Sequence, residues 1–378
     1  MRAPPVQFRS REGSVVSSPG FVHLHVHTEY SMVDSTIRIP TLMQACAENG
    51  MPAVALTDQN NLFGLVKFYR KALAAGLKPV IGLDLRILNE DEPDRPFTML
   101  LLVQDNDGYR NLSELVTRSY IEGQVRGEPM ARREWLTAEG CEGLIALSGG
   151  LHGDIGHALH ANHGQQAREL LDGWRAVFPD RFYLELIRTG RSGEEDCVRA
   201  SLELASATGT PVVATNDVRF LSAGDFDAHE ARVCIHDSRV LADSERPKLY
   251  SAQQYLRTPD EMAELFADTP EALANTVEIA RRCNLNLQLG KSVLPEFPVP
   301  AGQTEAEFLE AEAKQGLERA LGRIFEARKI PENERAAFSA PYFERLEIEL
   351  GVIQSMGFPG YFLIVADFIR WARENDVP

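Results

Sequence analysis

Seven short apolar runs between residues 21 and 215 limit what this chain can fold into more than any other feature. They are 21–27 (FVHLHVH), 52–57 (PAVALT), 79–87 (PVIGLDLRI), 97–103 (FTMLLLV), 143–147 (GLIAL), 182–187 (FYLELI) and 211–215 (PVVAT). Most are rich in leucine and β-branched residues, as strands buried on both faces are. Helical patterns lie between most of them. Leu62, Leu65, Val66, Tyr69 and Leu73 fall on one helical face, which Gly76 stops. Ala167, Leu170, Leu171, Trp174 and Val177 form a second such face. Strand–helix alternation predicts a parallel sheet covered by helices. With no dinucleotide-type glycine fingerprint, seven repeats favour a closed α/β barrel over an open sheet.

A barrel gathers its active residues at the C-terminal ends of its strands. Here those ends carry His25 and His27, Asp58 and Gln59, Asp84, Ser148, Glu185 and Arg188, and Asn216, Asp217 and Arg219. In the first run, apolar and imidazole side chains alternate. A regular strand would put Val22, Leu24 and Val26 on one face and His23, His25 and His27 on the other. Two imidazoles beside a carboxylate such as Asp34 suit a divalent metal.

Composition narrows the function classes. The chain has 378 residues, 44% of them apolar, and a net charge of −16 from 39 basic and 55 acidic residues. That acidic balance is not the footprint of a nucleic-acid surface. Five scattered cysteines without a Cys-x-x-Cys pair suggest neither a disulfide framework nor a zinc ribbon. Residues 1–20 read as a disordered tail, and no apolar run reaches membrane-spanning length. Thr258-Pro259-Asp260-Glu261 is a capping box. Leu285, Leu287 and Leu289 alternate as in a short exposed strand. Residues 295–302 (PEFPVPAG) are a proline-rich connection and the domain boundary expected from composition, and 303–378 read as mostly helical with a break at 357–360. The apolar face of 361–374 has nothing after it to pack against, which suggests a fragment of a longer protein.

The motifs resemble a known family. Residues 23–31 (HLHVHTEYS) resemble the first motif of PHP (polymerase and histidinol phosphatase) domains. Residues 56–69 (LTDQNNLFGLVKFY), 185–191 (ELIRTGR), 214–220 (ATNDVRF), 270–276 (PEALANT) and 356–365 (MGFPGYFLIV) are similar to the α subunits of bacterial DNA polymerase III. The resemblance runs in order from Phe21 to the last residue. It implies an α/β fold: a distorted seven-stranded (β/α) barrel, the PHP domain, over 21–285, then a mostly helical segment over 286–378 that opens the palm. It implies a cytoplasmic replicative DNA-directed DNA polymerase acting on template-primer DNA and dNTPs. Its Mg²⁺-binding catalytic aspartates would lie beyond residue 378, so no residue here is expected to be catalytic. It further implies a proofreading exonuclease (epsilon) subunit docked on the PHP domain. Other holoenzyme subunits and the sliding clamp would bind elsewhere, with no membrane involved.

The resemblance also implies about nine metal ligands, carried over one at a time. His25, His27, Asp34 and Asp217 match, and Asp84 stands where the family has glutamate. Gln59, Thr98, Gly150 and Arg219 replace three histidines and a cysteine. A fixed cation about 5 Å from a metal costs about 3 kcal/mol per unit charge at an effective dielectric near 20. Arginine cannot deprotonate to relieve this, and it can instead pair with Asp217, Asp84 or Asp34. We therefore expect a vestigial site holding no more than one weakly bound Zn²⁺, Mn²⁺ or Mg²⁺, at His25, His27 and Asp34. The competing reading is a metal-dependent PHP phosphoesterase or pyrophosphatase. His23 is read as structural, and His152, His157, His160 and His163 as a solvated face.

Overall fold

A computed structural model describes residues 20–243, 245–291 and 293–377. The tail expected over 1–20 therefore lies, Gly20 apart, outside the described residues. The chain forms two compact units, divided between Leu287 and Gln288.

The first unit contains β1 (Ala53–Leu56), β2 (Lys78–Ile87), β3 (Phe97–Val103), β4 (Gln124–Val125), β5 (Glu128–Pro129), β6 (Leu144–Leu147), β7 (Phe182–Ile187) and β8 (Val212–Thr215). Six of these make one sheet in the order β1-β2-β3-β6-β7-β8, while β4 and β5 form a separate small hairpin. Segment 21–27 touches both sheet ends, through a bridge from His23 to Val54 and one from Val26 to Val218. It thereby curls the sheet into a seven-segment barrel. Val22, Leu24, Ala53, Ala55, Val80, Leu100, Leu102, Ile145, Leu147 and Val213 fill the interior. Ile279 and Cys283, at the end of helix Pro270–Arg282, join the same cluster.

Three expectations need correcting. The sheet is mixed: β3 runs antiparallel to both β2 and β6. Only residues 88–96 separate β2 from β3, too few for the crossover that parallel neighbours need. Segment 21–27 is not a regular strand. Val22 and Leu24 pack inside the barrel, whereas Val26 joins the outer core. The Val26 amide bonds the Thr57 hydroxyl at 2.8 Å instead of a strand carbonyl, which breaks the pleat. Residues 285–289 form no strand.

The outer helices follow their sequence stripes. Leu65–Ala74 buries Leu65, Phe68, Tyr69 and Ala72 at i, i+3, i+4 and i+7. Val66 and Leu73, expected on that face, are 48% and 50% exposed. Burying a side chain such as Phe68 contributes about 2–3 kcal/mol. In the second unit, helices Glu305–Arg328, Glu332–Ser355 and Pro359–Glu374 pack around Leu309, Leu350 and Leu363. A capping box at Thr304 and Glu307 starts the first of them. Phe368 and Trp371 on the last helix remain 67% and 59% exposed. Among the described residues no single helix is long and apolar enough to cross a membrane.

Candidate metal centre

The barrel mouth gathers side chains from points nearly two hundred residues apart. His25 and His27 come from the first segment, Asp84 from β2, Glu185 from β7, and Asp217 and Arg219 follow β8. Their side chains are nearly inaccessible to solvent. A cavity of about 470 Å³ opens over His25, Asp84, Asp217 and Arg219, with Gln59, Thr98, His152, Arg191 and Tyr250 also in its walls. Because β3 is antiparallel, Thr98 reaches the mouth from the start of its strand.

The hydrogen bonds assign the imidazole tautomers. His25 Nδ1 lies 2.8 Å from Glu185 Oε1, which also accepts from the Thr215 hydroxyl at 2.6 Å. The carboxylate can only accept, so His25 Nδ1 carries a proton. His27 Nδ1 lies 2.9 Å from Ser31 Oγ, whose own proton goes to Asp58 Oδ1 at 2.7 Å. His27 Nδ1 is therefore also the donor. That leaves the two Nε2 atoms facing each other at 3.2 Å. Two lone pairs at this distance repel unless a proton or another cation lies between them.

The surrounding charges favour a proton on His25. Burial opposes a charge on His25, but Glu185, Asp217 and Asp84 outweigh it and raise its pKa to about 10. Burial and the charges of Arg219 and His25 hold His27 well below 6.5. The pair thus shares one proton near neutral pH. Burial pushes Asp84 up, yet His25, His27 and Arg219 together keep it below the usual carboxylate range.

Arg219 decides how the carboxylates are used. Its Nε donates to Asp217 Oδ1 at 2.7 Å, and its Nη1 to Asp34 Oδ2. Asp217 Oδ2 accepts from Gln254 Nε2 at 2.8 Å and lies 3.1 Å from Arg191 Nη1. Asp34 Oδ2 also accepts from the Tyr250 hydroxyl at 3.2 Å. The Tyr250 ring lies 5.5 Å from the guanidinium carbon, within cation–π range. Burial pushes Asp217 up, but Arg219 and His25 hold it far below its ordinary value. Asp217 also adopts a left-handed φ of 41°, a conformation costing about 1–3 kcal/mol that only its surroundings can hold.

Donor atoms of His25, His27 and Asp217 lie within 4.8 Å of one another, a grouping able to hold one metal ion. It does not fit a cluster of ions. Asp217 already accepts from Arg219 and Gln254 and pairs with Arg191, and Asp34 is turned to Arg219. Asp217, not Asp34, is the carboxylate grouped with the imidazoles. Gly150 supplies a further obstacle. It sits at φ +54°, and an added Cβ would lie 2.8 Å from Ile187 Cδ1. Gly150→Cys is therefore expected to lower stability by roughly 1–3 kcal/mol in urea unfolding, not to rebuild a ligand.

Other candidates resolve simply. Arg188 makes a fork on Asp268, at 2.6 and 2.8 Å, and does not face the cavity. Asp58 accepts from Thr28 and Ser31. His23 Nε2 donates to the Arg257 carbonyl at 2.8 Å. Sequence reasoning missed Tyr250, Gln254 and Ser31. Ser31 lies within a quoted motif, but Tyr250 and Gln254 carry no local signal.

The PHP domain model matches residues 23–189, and the bacterial DNA polymerase III alpha NTPase domain model matches 307–378. DNA polymerase III subunit alpha of Pseudomonas aeruginosa is 51% identical over 359 residues, covering 95% of this chain and 30% of that protein. Its counterpart in Escherichia coli K12 is 49% identical over 363 residues, covering 96% and 31%. The chain thus spans about 30% of the length of these relatives. Among solved structures, an amidohydrolase from Chromobacterium violaceum with bound sulfate and no metal aligns at 13% identity and TM-score 0.40. That alignment covers 56% of this chain and 96% of the other. The chain belongs to the DNA polymerase III alpha subunit family, of which it carries a PHP domain and a polymerase III alpha segment.

Proposed function

We propose that this chain is the PHP-bearing part of a cytoplasmic replicative DNA polymerase, in which the PHP barrel serves structure and docking rather than hydrolysis. The observation that carries the reading is the ordered identity of about half of all residues over 95% of the chain to polymerase III alpha subunits. The residues from about 286 onward would open the palm. Nucleotidyl transfer on template-primer DNA, with two Mg²⁺, belongs to carboxylates outside this sequence. The proposed PHP partner is the proofreading exonuclease (epsilon) subunit. The sliding clamp and other holoenzyme subunits would bind elsewhere on the whole polymerase.

His25, His27, Asp34, Asp84 and Asp217 are proposed as a vestigial site, with Gln59, Thr98, Gly150 and Arg219 in place of ligands. What supports this is that Arg219 pairs with both Asp217 and Asp34, that Arg191 also lies on Asp217, and that Gln59, Thr98 and Gly150 offer no ligand of the expected type. The purified chain should hydrolyse p-nitrophenyl phosphate no faster than buffer with 1 mM Mn²⁺ or Zn²⁺, and should bind the exonuclease subunit in calorimetry. Turnover lost in His27→Gln would instead favour the phosphoesterase reading. No heat with the exonuclease would count against docking.

A further inference from the structure

The ring of barrel segments is thinnest where segment 21–27 joins it, through one isolated bridge on each side. Neighbouring strands elsewhere share four register pairs (β1–β2), six (β2–β3), four (β3–β6), two (β6–β7) and four (β7–β8). Segment 21–27 meets the residues after β8 through one bridge, Val26 with Val218. Two backbone bonds accompany it, His27 N to Val218 O at 2.9 Å and Val218 N to His25 O at 3.0 Å. Toward the barrel floor, the Val22 amide goes to the Thr276 hydroxyl at 3.0 Å and not to β8. Among the described residues the seam with β8 is therefore tied through the backbone only at the mouth, beside Arg219, whereas the joint with β1 is tied at both His23 and Val26.

Arg219 crosses that seam. Its carbonyl accepts from Thr36 N at 3.1 Å and Ser35 Oγ at 2.9 Å, and its guanidinium joins Asp217 on one side to Asp34 on the other. Tyr250 and Gln254 then fasten the 249–257 segment to the same carboxylates. Where a metal-binding barrel would link these loops through a shared ion, this chain links them through a side chain.

We propose that Arg219 is a built-in closing cation: it holds the barrel seam shut and anchors residues 249–257, with Tyr250 as its positioning residue. The inference rests on the contacts above and not on the polymerase reading. It predicts where the barrel opens first. The seam and the 249–257 segment should loosen together, while β3 and β7, paired on both sides, stay closed.

Hydrogen exchange read by mass spectrometry on the whole chain tests this. Arg219→Lys keeps the charge but loses the fork that reaches two carboxylates. It should speed exchange about ten-fold in peptides covering 25–36, 216–220 and 249–257, and less than two-fold in 97–103 and 182–187. Tyr250→Phe should speed the same three segments about three-fold. Uniform acceleration, or none at the seam, overturns the proposal. If Arg219→Lys does not fold, Tyr250→Phe decides alone by the same criterion.

Discussion

Arg219→Ala is expected to destabilise the first unit by about 3–5 kcal/mol, the usual loss when one partner of a buried ion pair is removed. In thermal unfolding this corresponds to a Tm drop of roughly 10 °C for a unit of this size. The cause is charge left without a partner. Asp217 would keep Arg191 and Gln254, but Asp34, 4% exposed, would keep only the Tyr250 hydroxyl. Arg219→Met separates charge from packing. It restores most of the lost volume, so it should recover only the cavity component and remain at least about 2 kcal/mol below the unaltered protein. Adding Asp34→Asn to Arg219→Met removes the orphaned charge. The double variant should be more stable than the sum of the single losses by about 1–3 kcal/mol. A loss below about 1 kcal/mol in Arg219→Ala, or strict additivity in the double variant, would show that the pair is not holding the barrel.

The legible part of the fold was its inventory. All seven apolar runs correspond to barrel segments, because buried strands must be apolar whichever way they point. Direction was not legible, since period-two patterning reads the same from either end. Chain length held the missing clue: residues 88–96 cannot carry a parallel crossover. The irregular pleat at 21–27 was hidden too, because the Val26 amide is taken by a side chain, Thr57, thirty-one positions away. At the site, the residue types that replace ligands were visible in sequence, and Arg219 stood out as a charge that cannot be lost. Its partners stood among the three carboxylates expected for it, and it takes Asp217 and Asp34 but not Asp84. Asp34 lies 185 positions before it, so spacing could not single it out. Tyr250 and Gln254 were invisible for the same reason. They belong to a loop without a motif, and only the closed barrel gives them a carboxylate to hold.

Stability of the first unit should peak near pH 6.5, because the histidine pair holds one proton where the unfolded chain holds two, one or none. Below pH 6.5 the unfolded chain protonates both histidines, while the folded pair keeps one. Unfolding then takes up a proton, so stability falls as pH falls. His23 adds to this limb. Burial lowers it to about 4, with its Nδ1 unpartnered, so it too gains a proton only on unfolding. Each such proton contributes about 1.4 kcal/mol per pH unit once the unfolded histidine is charged. The two together cost roughly 3 kcal/mol between pH 6.5 and 5. Asp58 works the other way. Burial lifts its carboxyl to about 6, so the folded state binds its proton first and regains roughly 1 kcal/mol over the same range. Above pH 6.5 the sign reverses. The folded pair keeps its proton until His25 titrates near 10, whereas the unfolded chain has already lost it. Stability then declines, by roughly 1 kcal/mol between pH 6.5 and 8. Urea unfolding at half-unit pH steps measures both limbs. His27→Gln should flatten the acid limb by one proton and leave the alkaline limb, since the carboxylates around His25 remain. An alkaline limb that is absent in the unaltered protein would mean that no proton is shared, and that the two imidazoles face each other across something else.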